Sequence, residues 1–369
     1  MFKVKSIQEL EDFLLQDSTL DDMCGTVPGK NVGIPDKKLT KKNVQHDISV
    51  FARYLIRVYV GWPIHDDIIK RKVLNYLIKI YKSAHRMTAI ELFDVLKNAI
   101  KPIPDNHLSI RFNNSRAWMT IKTRLHKDVG KNIAGLQPIK AMMLDNNIAA
   151  IGFTGMCKTD EFRDIILEFQ NNVLPKSKAL IIDLRGNGGG NSFYSDRFAY
   201  FLCGTKISSM KETYVRTTPE AKKVLQGSNP KAPWSNVPQS EELQLFSTGK
   251  IFEIDKTQAY MKPIFILTDE NTGSAAEMFL LRMLHHPMVR VIGDNSRGME
   301  VYGNMFFCKL PYSDISVTVG SNYRILEYDN FELHGYKPDV KCKNGQDAFD
   351  VVLLEYANQR GINKLAKSK

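Results

Sequence analysis

Two segments of the chain place reactive or anion-binding groups directly after an apolar run. In the first, Ala179-Leu180-Ile181-Ile182-Asp183-Leu184 leads into Arg185-Gly186-Asn187-Gly188-Gly189-Gly190-Asn191. Glycines at a strand-to-helix turn permit positive φ and leave backbone N–H groups bare, and such groups can hold an anion, a phosphate or a developing oxyanion. The spacing is neither that of a P-loop nor G-x-G-x-x-G, and a merely structural tight turn fits the same residues. In the second, Ile264-Phe265-Ile266-Leu267-Thr268 runs through Asp269 to Gly273 and on to Ser274-Ala275-Ala276-Glu277 and an apolar helix. Ser274 reads as an N-cap whose capping box is completed by Glu277. It also reads as a nucleophile, because the macrodipole and free N–H groups of a helix start favour negative charge on oxygen.

The elements that would carry these groups fall into two regimes. Up to about residue 100 the apolar spacing predicts helices: Ile7 to Leu15 behind a Ser6–Glu9 capping box, Val44 to Tyr59, Asp66 to Tyr81 and Thr88 to Ile100, together a small helical bundle. From about residue 107 the period shifts. Leu108–Phe112, Trp118–Ile121, Ile148–Phe153, Ala179–Leu184, Ile264–Thr268 and Val289–Ile292 read as strands. Thr159–Val173, Ser192–Phe201 and Ala275–His285 read as intervening helices. Alternation with continuous apolar runs predicts an α/β (α+β) fold on a buried, largely parallel sheet. Thr217 to Gly249, with its Gly, Pro and Ser, reads as a surface stretch, and a last helix is expected near Asp347–Gln359.

Taken together, LIIDLRGNGGG (Leu180–Gly190) and NTGSAAE (Asn271–Glu277) resemble the tail-specific, or C-terminal-processing, proteases, peptidase family S41 of the serine peptidases. Val291 to Gly298 resembles the strand and loop after that family's serine helix, and Gly335-Tyr336-Lys337-Pro338-Asp339-Val340 its late Gly-x-x-Pro-Asp segment. The resemblance spans roughly residues 100–355. It implies a ClpP/crotonase-like core over about 145–355 within a catalytic domain, 101–369, behind a helical domain, 1–100. Too few residues separate Phe112 from Ile148 for the PDZ domain that many members insert.

The resemblance also implies roles. One branch activates its serine with a lysine in a Gly-Lys-Gly segment, but here Met299 stands at that place in Arg297-Gly298-Met299-Glu300, and a thioether accepts no proton. The tricorn-core branch uses a histidine in an Asp-x-His segment and a glutamate just before the Gly-x-x-Pro-Asp segment. This chain has Asp105-Asn106-His107 and Glu332-Leu333-His334-Gly335. Ser274 would then be the nucleophile, His107 the general base and Glu332 the acid that orients the imidazole, with Glu327 and Asp329 as competing acids. Gly188 or Gly189 and Ala275 would supply the oxyanion donors, and Asn106, an amide where the tricorn type has a hydroxyl, would orient the pair or polarise a water. A lone histidine at the start of a strand is more often structural; the serine and glycine motifs reverse those odds for His107. His285 and His286 point ~100° apart on a helix, a poor metal pair, and His126 has no support as a base. His334 would line the site. No metal or cofactor is expected.

The remaining arithmetic bounds the alternatives. The chain has 369 residues, 43% apolar and 25% charged, enough to bury a sizeable core and unlike a disordered or fibrous sequence. Its net charge of +11 raises nucleic acid as a partner. The basic residues are scattered, however, and no zinc-finger, RNP or helix-turn-helix signature appears, so none is expected. No apolar run approaches the ~18 residues of a membrane span. Five cysteines, an odd number without C-x-x-C, argue against a disulfide framework. With an unsignalled N-terminus they favour a cytoplasmic enzyme, an exported form with its signal already removed being the alternative. The expected partner is a peptide or unfolded-protein substrate, and an oligomer is compatible with the sequence. The rival reading is a non-catalytic ligand- or peptide-binding protein on the same scaffold.

Overall fold

The computed structural model describes residues 5–26, 34–111, 139–249, 254–343, 345–354 and 356. The expected strand Trp118–Ile121 and His126 lie outside them. The chain forms two compact units, neither continuous in sequence. One takes Met1–Arg116, Met210–Thr248 and Val301–Leu326; the other takes Ala117–Ser209, Gly249–Glu300 and Glu327–Lys369. The first therefore gathers the helical region with two segments from far along the chain.

The second unit is built on a six-stranded sheet in the order Val340–Lys341, Val289–Gly293, Ile264–Thr268, Ala179–Asp183, Ile148–Phe153, Ile139–Leu144. All neighbours are parallel except Ile139–Leu144, which runs antiparallel to Ile148–Phe153. The three strands read as continuous apolar runs, Ile148–Phe153, Ala179–Asp183 and Ile264–Thr268, are buried at every position because both faces of the sheet are covered. On one face Phe153, Phe162, Phe169, Phe198 and Phe279 gather from the sheet and the helices Asp160–Glu168, Phe193–Cys203 and Ala275–Met283. On the other, Ile181, Phe265 and Leu267 meet Phe349 and Val352 of the helical residues 348–354. Each such side chain contributes roughly 1.5–3 kcal/mol through burial. Ala179–Asp183 and Ile264–Thr268 pair in parallel with Ile182 opposite Ile266 and Asp183 opposite Leu267. The glycine turn and the serine loop thus leave neighbouring strands at the same, carboxyl-terminal edge, where open parallel sheets bind ligands.

The first unit packs the helices Ile7–Leu15, Lys41–Arg53, Asp67–Lys82 and Ala89–Ala99 against one another and against an antiparallel sheet. That sheet runs Tyr302–Lys309, Ser316–Leu326, Met210–Thr217, Ser240–Thr248, with Ser109–Arg111 also paired to Ser316–Leu326. Helices and sheet share one core, in which Ile48, Phe51, Leu74 and Leu77 meet Val215, Phe306, Val317 and Val319. The Ser6–Glu9 capping box is present, as is a second between Thr88 and Glu91. The surface stretch expected over Thr217–Gly249 is instead a helix, Pro219–Ser228, and a strand, Ser240–Thr248. Thr218 Oγ1 accepts the Ala221 N–H at 3.2 Å and proline opens the helix, a start signal that the flanking Gly and Ser obscured. The strand has no buried residue, so its apolar side chains carry no clean alternation. Among the described residues no helix is long and apolar enough to cross a membrane, and no two cysteines are bonded.

Candidate active site

Ser274 sits between the strand Ile264–Thr268 and the helix Ala275–Met283 with φ 54° and ψ −124°. A non-glycine residue there is strained by roughly 1–3 kcal/mol, and such strain persists only where the surroundings over-determine the backbone. They do so here. Gly273 N–H donates to Asn187 O at 2.9 Å, Arg297 N–H to Thr272 O at 2.8 Å, and Ser274 N–H to Glu277 Oε2 at 3.1 Å. Strand, strained serine, then helix is the arrangement that lifts a nucleophilic hydroxyl clear of the sheet. The capping partner foreseen from the sequence is therefore real on the Glu277 side, and it serves to hold the backbone of this turn.

The glycine turn is fixed from beneath. Asp183, wholly buried, meets Arg185 through Oδ2–Nη2 at 2.8 Å and Oδ1–Nε at 2.9 Å, and Arg185 Nη1 reaches Asp347 Oδ1 at 2.8 Å. Burial works against the Arg185 guanidinium, but the Asp183 and Asp347 carboxylates outweigh it and hold its pKa above the ordinary value. Gly186 N–H donates to Asp269 Oδ1 at 2.9 Å, tying the turn to the serine loop. Gly189 has φ 97°; a Cβ there would stand 2.7 Å from Ser274 Cβ and 2.8 Å from Ala275 N. Only glycine lets the turn lie this close to the serine. The Gly189 N–H is already donated to Asn187 Oδ1 at 2.9 Å. Among the described residues neither the Gly188 nor the Ala275 N–H has an acceptor.

Glu277 is the residue whose part the sequence did not reveal. It is fully buried, and its two oxygens take four donors. Oε1 accepts Ser296 Oγ and Gly298 N–H, each at 2.6 Å; Oε2 accepts Met299 N–H at 2.8 Å and Ser274 N–H at 3.1 Å. Burial pushes its carboxyl up, and these hydrogen bonds pull it back. The segment so held also anchors the turn that carries Glu332: Leu333 N–H donates to Gly298 O at 2.9 Å, and Tyr336 N–H to Ser296 Oγ at 2.8 Å. Ser274 and the Glu332 turn therefore hang from one buried carboxylate. The only sequence signal was Glu277 three residues after the serine; its other partners lie 19 to 22 residues downstream. Of the competing acids, Glu327 lies with Oε2 3.2 Å from His285 Nε2. His334 turns its Nδ1 to Glu332 O at 3.0 Å and is exposed.

His107 and Asn106 belong to the other unit. Asp105 Oδ1 accepts the N–H groups of His107 at 2.6 Å and of Leu108 at 3.1 Å, fixing the chain as it enters the strand Ser109–Arg111. Asp105 is buried, and burial pushes its carboxyl up to about 6. Met299, at the position of the other branch's lysine, is buried, with its sulfur 3.5 Å from where a Cβ of Gly273 would stand. Among the described residues no three His, Cys, Asp or Glu side chains gather as they would around a metal.

Comparison with known proteins adds the family. A candidate peptidase from Parabacteroides merdae is similar in structure, with a TM-score of 0.55 and 19% identity over 85% of this chain and 93% of that one, a likeness of fold. A lipoprotein from Streptococcus agalactiae gives a TM-score of 0.44 at 17% identity over 82% and 92% of the two chains. The photosystem II D1 C-terminal processing protease gives 0.36 at 12% identity over 56% and 49%. The sequence description of peptidase family S41 matches residues 147–342, which include the glycine turn, Ser274, Glu277 and Glu332. The chain belongs to peptidase family S41 and is a serine-type peptidase.

Proposed function

We propose that the peptidase works through an acyl-enzyme formed on Ser274, with His107 as general base and Glu332 orienting the imidazole. His107 takes the serine proton as Oγ attacks the scissile carbonyl, then returns it to the leaving amine; water, activated by the same imidazole, releases the acyl group. The developing oxyanion is received by the N–H groups of Gly188 and Ala275, since that of Gly189 is spent on Asn187. Asn106 orients the base or polarises the water. The observation that carries this reading is the strained backbone of Ser274 in a strand-to-helix turn held by Glu277. In support, Met299 offers no proton acceptor and the late turn bearing Glu332 is tied to the same carboxylate network. Peptides and partly unfolded chains are the substrates, cleaved without a PDZ groove to select their tails.

The test is covalent labelling. A fluorophosphonate probe should modify Ser274 stoichiometrically, and an activated ester should give a burst of leaving group equal to the enzyme present. No label on Ser274, or a label that survives Ser274→Ala, overturns the proposal.

A further inference from the structure

Asn187 heads the glycine run and is wholly buried. Its polar groups tie three places together. The N–H donates to Leu184 O at 3.1 Å, just past the strand Ala179–Asp183. The carbonyl accepts the N–H of Gly273, the residue before the serine, at 2.9 Å. The side-chain Oδ1 accepts the Gly189 N–H at 2.9 Å. Gly189 is held from its far side as well, because its carbonyl accepts the Met156 N–H at 2.9 Å. The backbone groups on both sides of Gly188 are thus engaged. The Gly188 N–H has no acceptor among the described residues, and Gly188 is only half-buried. The bond to Oδ1 accounts for this. An Asn oxygen that accepts the N–H two residues on closes an Asx turn, which mimics a backbone turn. The peptide joining Asn187 to Gly188 lies in the middle of that ring, so its N–H cannot bond within the ring and is left to face outward.

The choice of side chain points the same way. Asn187 Nδ2 is buried and has no acceptor among the described residues. A buried polar group left unpaired is destabilising, and a leucine of similar reach would fill the space without one. Leucine, however, accepts no hydrogen bond. Aspartate would keep the oxygen but set a negative charge beside a developing oxyanion, and serine would keep an oxygen but leave space. The amide alone gives a neutral acceptor that also fills the place, so the oxygen is what the position requires.

We propose that Asn187 is a positioning residue for the oxyanion hole: by closing the turn onto Gly189, its Oδ1 aims the Gly188 N–H at the carbonyl oxygen under attack. The proposal rests on the reading of Gly188 as an oxyanion donor to an acyl-enzyme on Ser274. Its test is peptide hydrolysis by the full chain, with rates taken per serine titrated to completion by the fluorophosphonate probe, so that loss of folded protein is not counted as loss of rate. Asn187→Leu should lower kcat by ~10²–10³-fold, the effect of losing one oxyanion donor, with KM little changed. Asn187→Ser, whose hydroxyl closes the same turn more weakly, should recover at least ~10-fold of that loss. A role in filling space alone would rank the two variants the other way. The inhibition constant of a peptide aldehyde, whose adduct with Ser274 places an oxyanion in the hole, should rise in Asn187→Leu by the factor that kcat falls. Wild-type kcat or an unchanged aldehyde constant in Asn187→Leu, or a serine variant slower than the leucine one, overturns the positioning role. Gly188→Pro, which removes the N–H in question, separates that outcome from a failure of the reading beneath it. An impaired Gly188→Pro leaves the donor standing; a fully active one overturns the donor, and the positioning role with it.

Discussion

Glu277 Oε2 accepts the backbone N–H of Ser274 from 3.1 Å, so the residue three places into the helix holds the strained residue that precedes it. The same carboxylate takes Ser296, Gly298 and Met299. All four partners are donors, and both oxygens must therefore accept. Glu277→Gln turns an amide N–H₂ towards N–H groups that need an acceptor. It should cost about 3 kcal/mol or more, since buried hydrogen bonds to a charged group are worth ~1.5–3 kcal/mol each. Fluorophosphonate labelling of Ser274 should slow by ~100-fold, because the serine and its neighbouring segment lose a common anchor. Denaturant unfolding and labelling rates measure the two effects separately. A variant with normal labelling would show that the Ser274 backbone is held without Glu277.

Gly189 allows a cleaner steric experiment. A Cβ there would meet Ser274 Cβ at 2.7 Å, Ala275 N at 2.8 Å and Gly273 O at 2.9 Å, all on the side of the proposed chemistry. Gly345 also has positive φ, 83°, but among the described residues nothing stands within 4 Å of its would-be Cβ. Gly345→Ala should thus cost about 1 kcal/mol of stability through backbone strain and leave kcat intact. Gly189→Ala should add a loss of ~10²–10³ in kcat by pushing the turn off the serine. Equal activities in the two variants would mean that the turn's approach to Ser274 is not needed for catalysis.

Met299 and His107 separate the two ways of activating the serine. Met299→Ala leaves a cavity and should lower stability by ~2–5 kcal/mol. Among folded molecules, however, it should keep kcat/KM within ~10-fold, less than about 1.4 kcal/mol in the barrier. His107→Ala should cost at least ~10²–10⁴ in rate at neutral pH. Steady-state kinetics normalised to burst amplitude decides. Parallel losses would place the base elsewhere.

What was readable in the sequence follows from where each residue's partners lie. Ile148–Phe153, Ala179–Asp183 and Ile264–Thr268 are buried on both faces and so appear as plain apolar runs. Ser274 and the glycine turn were legible because a strand, a turn and a helix follow one another within a few residues. The antiparallel sheet was not. Met210–Thr217 and Ser240–Thr248 carry Lys, Glu, Arg and Gln among their apolar residues, and Ser316–Leu326 interposes glycine, asparagine and arginine, so no period stands out. That Asn187 Oδ1 takes the Gly189 N–H and leaves that of Gly188 is a side-chain geometry no spacing encodes. Likewise, His65 Nε2 meets, at 3.1 Å, the hydroxyl of a tyrosine, Tyr59, that reads as ordinary core.

Two buried groups of the first unit, Asp105 and His65, carry a signature in pH. Burial raises Asp105 from 3.8 to about 6, so the folded state holds its proton more tightly than the unfolded chain does. The stability it contributes is fully present below 3.8 and is lost as pH rises through about 6. Burial, aided by the charge of Lys70, lowers His65 from 6.5 to about 4, so the folded state holds that proton less tightly. Its contribution is present above 6.5 and is lost as pH falls through about 4. Each shift corresponds to something on the order of 3 kcal/mol. Between about pH 4 and 6 the two slopes oppose each other, and the intact protein should show little change in its urea midpoint from this pair. Removing either group exposes the slope of the other. His65→Gln should become less stable as pH rises from 4 to 6, whereas Asp105→Asn should become more stable over the same interval. Urea titrations at half-unit steps of pH would resolve slopes of opposite sign. Two variants as flat as the parent protein would show that neither group is held out of water as tightly as its surroundings indicate.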